Sequence, residues 1–490
     1  MSVALVHYHL RPGGVTRVLE IQSAALTRAG RPHVILSGTP YAGSAPLPVE
    51  VVPGLAYRDT RPDDGLQSET LLHDLRRAAR AALQCEPSCW HIHNPTLGKN
   101  SLFPLLITGL AESLTPLVLH LHDFAEEGRP ANYKRLPQAN QLYPLAPQIR
   151  YAVINSRARN LLVSAGVPED QCTLFPNAID PGLLPTAGHT PVVKGVAGPL
   201  VLYPVRGIRR KNLGEFCLLA SLAPSGATFA LSLPPENPEW KAVYDGWVDT
   251  VSNLDLPVRL GVVGSSPPGS GASSTYSDWV QHATHLITTS VAEGFGLTFL
   301  ESLALGKPLI GRDLPGVTCD FTATVGRLYQ KLLVPAAWVD EQQLREHLHN
   351  ALRRSYRAYG ESMPGKLPAQ IREHLACSHG GDAYLDFGNL PEELQAEILP
   401  QACNSPADVV IVEGGRSQPA GDWIREALDT NTAPGDASAL AAYSVENYAR
   451  RHESLYKSLT TTAAAPPRWL DKRRLLSLFL RPERFHFLQA

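Results

Sequence analysis

Short apolar runs alternate along the chain with longer stretches whose apolar positions recur at helical spacing. Residues 3–9 read as a strand. A turn follows at Arg11, Pro12, Gly13 and Gly14, and Val15, Val18, Leu19, Ile21 and Gln22 open a helix. Further strand-like runs fall at 33–37, 49–52, 90–94, 116–122 and 151–156, with helical patterns between them at 69–83 and 102–114. This alternation predicts an α/β fold with a parallel sheet covered by helices on both faces. Ligands bind such sheets at the carboxyl ends of the strands, where His93, Asn94, His122 and Asp123 fall.

The second half of the chain repeats the pattern. Residues 181–198 are rich in Pro, Gly and small side chains and read as a linker. A strand at 200–204 leads into a basic loop carrying Arg206, Arg209, Arg210 and Lys211, with Asn212 as the expected helix cap. Strands at 228–232 and 258–263, a Gly/Ser/Pro loop at 264–274, a helical stretch at 278–285 and a strand at 286–289 follow. Residues 288–310, TTSVAEGFGLTFLESLALGKPLI, then pass from a polar strand end through a glycine-flanked turn into an apolar helix. The spacing of Leu297, Leu300, Leu303 and Ala304 starts that helix near Leu297, and Gly306 with Pro308 stops it.

Residues 326–408, with helical stretches at 341–359 and 390–399, read as an elaboration of the second domain; 409–412 is a last strand. An amphipathic helix at 443–459 precedes a tail that mixes basic and apolar residues from Arg468 onward. Asp386, Phe387 and Gly388 spell a kinase motif without the glycine loop and catalytic loop that would give it meaning.

At 490 residues the chain calls for two or three domains. The balance of 44 basic and 46 acidic residues argues against nucleic acid as a partner. Seven cysteines, odd in number and scattered, point to reduced thiols and a cytoplasmic location, and the first residues lack the features of a signal peptide. No apolar run is long enough to span a bilayer. The spacing of Cys85, Cys89, His91 and His93 matches no common zinc pattern, so no metal is expected there. The first glycine turn is not G-x-G-x-x-G, which argues against a dinucleotide cofactor.

Glu293 and Glu301 give the strongest chemical signal. If turn and helix advance together, their carboxylates lie about 12 Å apart, one on each side of a helix N-terminus. The free N–H groups of a first turn attract phosphate, so a diphosphate at the helix start would have a carboxylate reaching for hydroxyls on either side. A nucleotide sugar has that layout, with ribose near Glu301 and sugar near Glu293.

The Glu-x7-Glu pair within EGFGLTFLESLALGKP resembles the donor-site signature of retaining glycosyltransferases of the two-domain GT-B type, family 4. The resemblance covers most of residues 1–325 and the helix at 443–459. Arg206 with Lys211 matches the Arg-x4-Lys pair that this family aims at the donor diphosphate, although Val205 stands where the family has glycine. The turn at Gly14 is similar to the family's GG-V loop, and PLVLHLHDFAEEGRP to the segment carrying its active-site histidine, which favours His122.

What the resemblance implies is a pair of Rossmann-like domains with parallel sheets facing a deep interdomain cleft. The expected division is 1–186 for the acceptor, 187–433 for the donor, and 434–490 crossing back to the first domain. The implied reaction moves a sugar from a nucleotide-diphosphate donor to a small-molecule or glycan hydroxyl, with retention and without metal or other cofactor. His122 and Glu293 would be catalytic. Gly14, Arg206, Lys211, Glu293, Gly294, Phe295, Gly296, Leu297 and Glu301 would hold the donor, and Asn94, Asp123 and Tyr133 the acceptor. A sugar phosphorylase or a nucleotide-sugar epimerase on the same fold is the alternative. The basic and apolar tail allows contact with a membrane surface, but packing on the first domain is favoured.

Overall fold

The computed structural model describes residues 1–59, 61, 63–136, 142–185, 193, 195–196, 198–264, 275–321, 325–379, 381–429 and 435–489. The expected loop at 264–274, apart from Gly264, and half of the linker at 181–198 lie outside them. The chain divides into two compact units. One comprises Met1–Asp180, Ala358–Glu361 and Ala441–Arg481; the other comprises Pro181–Arg357, Ser362–Leu440 and Pro482–Ala490.

Among the described residues of the first unit, seven strands form one parallel sheet: β1 (Val3–His7), β2 (His33–Ser37), β3 (Val49–Val51), β4 (Cys89–His93), β5 (Leu117–Leu121), β6 (Ile149–Val153) and β7 (Cys172–Leu174). Their order is β3-β2-β1-β4-β5-β6-β7. Period-two alternation sends successive side chains to opposite faces. Trp90 and Ile92 of β4 enter a core with helices Asp64–Leu83, Phe103–Glu112 and Ser156–Ala165. Cys89 of β4 enters a second core on the other face, with helices Gly14–Arg28 and Val445–Thr460. His91 and His93 share that face.

The tail returns to this unit. Arg468–Leu470 pairs antiparallel with Tyr143–Leu145, and helix Lys472–Phe479 buries Leu475, Leu476, Leu478 and Phe479 in the first core. The apolar side of the tail is therefore spent inside the protein, while Arg468, Arg473 and Arg474 remain exposed. Among the described residues, no helix is long and apolar enough to cross a membrane.

The second unit holds a six-stranded parallel sheet built on β8 (Leu200–Arg206), with β9 (Thr228–Leu233), β10 (Val258–Leu260), β11 (His285–Thr288), β12 (Leu309–Arg312) and β13 (Arg327–Tyr329) in the order β10-β9-β8-β11-β12-β13. The elaboration adds a separate antiparallel sheet of β14 (Lys331–Pro335), β15 (Ala376–His379), β16 (Asp382–Asp386), β17 (Val410–Glu413) and β18 (Arg416–Pro419). Helical periodicity locates Glu341–Tyr359 in the sequence; the strands are too short and polar at their ends to announce a sheet.

Candidate active site

In the second unit the helix after β11 runs Leu297–Ala304, starting at the residue that the apolar spacing indicates. Gly296 precedes it with φ of 77°, and a Cβ there would lie 2.5 Å from the Phe299 ring, so both backbone angle and space require glycine. Gly306 ends the helix with φ of 63°, its N–H donating to the Leu303 carbonyl and that of Lys307 to Ser302. Phe295 is buried against Phe321, and Gly294 lies in the turn between Glu293 and Phe295. Glu301 sits on the helix near Tyr276, whose phenol is pushed up by burial and by that carboxylate.

Glu293 is the centre of a charged cluster. Lys211 Nζ donates to its Oε1, Ser290 Oγ donates to the same oxygen at 2.6 Å, and Arg210 Nη1 lies 3.4 Å from Oε2. Tyr203 exchanges a 2.6 Å hydrogen bond with Ser290, and Arg210 also donates to the Ala292 carbonyl at 3.0 Å. Burial works to raise the Glu293 carboxyl, but Lys211 and Arg210 overcome it and hold the group below the usual carboxylate range. Burial likewise works against the Lys211 ammonium and lowers it, with Glu293 opposing. The depressed carboxyl is the firmer of the two effects, since two cations and a hydroxyl sustain it.

The turn that delivers Lys211 is itself clamped. Asn212 adopts φ of 52° and its side chain makes no cap to the helix after it, contrary to expectation; its Nδ2 donates instead to Glu215 Oε2 at 2.9 Å. Gln395 Nε2 donates to Asn212 Oδ1 at 3.1 Å, and Thr289 Oγ1 donates to the Lys211 carbonyl at 2.9 Å. Glu215 belongs to a buried ion-pair group in which Arg312 reaches both Glu215 (2.6 Å) and Asp386 (2.8 Å). A Cβ on Gly388 would fall 2.0 Å from Glu215 Oε2. The kinase-like triplet is thus accounted for structurally: Asp386 supplies charge and Gly388 supplies room.

Arg206, at the end of β8, stands apart from this cluster. It pairs with Glu236 at 2.7 Å, with side-chain exposures of 42% and 77%. Arg209 donates to Glu392 at 2.7 Å and to the Phe487 carbonyl at 3.1 Å. Sequence reasoning passed over Arg210 and Ser290 as site residues. The polar end of the TTS run was the available signal for Ser290; Arg210 looked like any cation of a solvated loop.

In the first unit, Gly14 is the exposed first residue of helix Gly14–Arg28, and no side chain caps that helix start. Asn94 is buried with φ of 51°, and its Oδ1 accepts the backbone N–H groups of His122 (2.8 Å) and Asp123 (3.0 Å). It joins the ends of β4 and β5. Asp123 accepts from Arg129 at 2.7 Å. Tyr133 is buried in the short helix Pro130–Lys134, its ring 5.4 Å from Tyr359 and under the Lys472 ammonium at 4.4 Å.

His122, partly exposed, is the outer member of a histidine cluster that no spacing rule reveals. Its Nε2 lies 2.9 Å from His93 Nδ1, and His93 Nε2 lies 2.8 Å from Gln22 Oε1. His91 Nδ1 meets Tyr456 Oη at 2.7 Å and His91 Nε2 meets His120 Nδ1 at 3.0 Å. His7 and His452 pack beside them, their rings 6.4 Å from His93 and 5.7 Å from His91. Burial pushes every one of these imidazoles down, to about 4 for His122 and about 3 for His7 and His452. The cluster is therefore neutral at ordinary pH.

The chain resembles known proteins at two levels. No family model matches it. A curated relative, mannosylglucosyl-3-phosphoglycerate synthase of Petrotoga mobilis, is 25% identical over 338 residues, covering 64% of this chain. The match spans 62% of that relative's own length. Among solved structures, Anabaena HepE in complex with UDP-glucose matches 93% of this chain and all of its own at 15% identity, with a TM-score of 0.51. Sucrose-phosphate synthase from Thermosynechococcus elongatus matches 94% of this chain and all of its own at 14% identity and a TM-score of 0.52. The fold is therefore that of the GT-B glycosyltransferase structures: α/β, with two Rossmann-like units.

Proposed function

We propose that this protein is a glycosyltransferase that moves a sugar from a nucleotide-diphosphate donor to an acceptor hydroxyl, with retention of anomeric configuration and without a metal ion. The observation that carries this reading is the cluster of Lys211, Arg210 and Glu293 placed immediately before the glycine turn and the helix that bears Glu301. Two cations beside a helix N-terminus suit a diphosphate, and they supply the charge stabilisation that a divalent ion supplies elsewhere as the glycosidic bond breaks.

In this reading Glu293 fixes both cations and faces the sugar, Glu301 accepts from the ribose hydroxyls, and Gly294, Phe295, Gly296 and Leu297 present the turn. Arg206 contributes long-range charge after leaving Glu236. On the first unit, Gly14 allows close approach of the donor, while His122 and Asp123 meet the acceptor. Asn94 holds the loop that carries both, and Tyr133 supports it from within. The free cysteines support a reducing compartment such as the cytoplasm.

The relatives support the donor class: HepE has been solved with UDP-glucose, and the Petrotoga relative is named as a glycosyl synthase. The test is a thermal-shift panel of UDP-, GDP- and ADP-sugars, in which a donor at about a hundred times its Kd adds roughly 2.7 kcal/mol to stability. Transfer is then followed by NMR of the anomeric proton, with and without chelator. A turnover that requires inorganic phosphate identifies a phosphorylase; inversion, or a strict need for divalent metal, refutes the mechanism.

A further inference from the structure

The buried histidines pose a choice between a metal centre and a hydrogen-bonded chain. Ring nitrogens of His91, His93 and His120 lie within 4.8 Å of one another, which is close enough to suggest a shared ion. The ring planes argue otherwise. His91 and His93 are stacked, with centroids 4.7 Å apart and planes 10° from parallel. An imidazole binds metal through a lone pair in its own plane, so two stacked rings cannot both direct one at the same ion.

The same atoms make a consistent chain when protons are assigned. With the Gln22 amide oriented so that Oε1 faces His93 Nε2 across 2.8 Å, His93 carries its proton on Nε2 and donates to it. A neutral His93 then has a bare Nδ1, and His122 must donate to it from Nε2 across 2.9 Å. The lone pair of His122 is left on Nδ1. On the other side Gln22 Nε2 donates to Tyr456 Oη at 3.1 Å, Tyr456 donates to His91 Nδ1 at 2.7 Å, and His91 donates from Nε2 to His120. One amide therefore sets the polarity of both arms. The inner arm ends in His120, whose Nε2 is buried without a partner.

We propose that Gln22 is a positioning residue that acts through His93 to lock His122 in the Nε2–H tautomer. His122 then offers only an acceptor, Nδ1, to whatever binds at the ends of β4 and β5. This deepens the glycosyltransferase reading and rests on it for one consequence: the group that His122 recognises is a hydroxyl that donates. A ligand offering only an acceptor there, such as a methyl ether of that hydroxyl, is disfavoured.

The tautomer is measurable without any substrate, which separates this proposal from the assignment of activity. In the full chain with 15N-labelled histidine, His122 is expected to show a protonated Nε2 and an unprotonated Nδ1 at neutral pH. Gln22→Leu removes the acceptor and should shift His122 toward Nδ1–H, while Gln22→Glu, which keeps an acceptor facing His93, should restore the original form. With a working donor and acceptor, Gln22→Leu should lower kcat about tenfold and leave donor KM unchanged, because the lost bond lies on the acceptor side. A wild-type His122 protonated on Nδ1 overturns the proposal even if the variants fail to fold. So does an unshifted tautomer in folded Gln22→Leu, or a stoichiometric divalent ion retained by the full chain and lost in His91→Leu.

Discussion

The two units bury their polar groups at corresponding places, near the carboxyl ends of central parallel strands, yet with opposite electrostatics. The second unit gathers full charges: Glu293 with Lys211 and Arg210, and beneath them Glu215 and Asp386 with Arg312. The first unit gathers neutral imidazoles joined nitrogen to nitrogen. Full charges project a field and suit an anionic partner; a neutral chain projects little but fixes where each proton sits. The difference separates two tasks, holding charge and orienting a proton, and each responds to a different perturbation.

Acid separates them most. His7, His91, His93, His120, His122 and His452 all have lowered folded-state pKa values, whereas the unfolded chain takes up protons as pH falls past about 6.5. Their contribution is fully present above that pH and is lost as pH falls toward 4, at about 1.4 kcal/mol per histidine per unit. Denaturant titrations at pH 7, 6 and 5 should show stability falling steeply by pH 5, and a flat profile would contradict the neutral cluster. Next in size is Arg312→Met, which leaves Glu215 and Asp386 buried and unpaired and should cost about 3–5 kcal/mol in the same assay at pH 7.

The remaining effects concern ligands. Glu301→Gln should weaken binding of a free nucleoside diphosphate by about 1.5–3 kcal/mol in calorimetry, the worth of a charge-assisted bond to ribose. Lys211→Ala should depress kcat more than acceptor affinity, because the diphosphate charge grows toward the transition state. Arg206→Ala should have the smallest effect, under about 1 kcal/mol and strongly reduced by salt, since its guanidinium is 42% exposed and paired with an exposed glutamate. An Arg206 effect equal to that of Lys211 would place both in one buried site.

The parallel sheets and the helix from Leu297 were legible because their signals are local: apolar periodicity, a glycine with positive φ, a Gly-x-Pro stop. The pairing of Lys211 with Glu293 was not, since 82 residues separate them and only the parallel pairing of β8 with β11 brings their loops together. The histidine chain was hidden for a related reason. His91 and His93 looked like a failed zinc motif with Cys85 and Cys89, but their partners come from the adjacent strand, the first helix and the helix Val445–Thr460. Asn212 misled because its composition suits a cap while a buried carboxylate three residues on competes for its amide.

The antiparallel sheet of the second unit also bears on how this protein can be taken apart. Asp386 from that sheet neutralises Arg312, and Gln395 from the helix after it grips the residue following Lys211. Deleting residues 331–419 to recover a leaner domain would leave Arg312 with Glu215 as its remaining carboxylate partner and loosen the turn that carries the lysine. What looks in the sequence like an added module has become a dependency of the charged cluster it adjoins, so this chain offers no shortcut to a minimal domain.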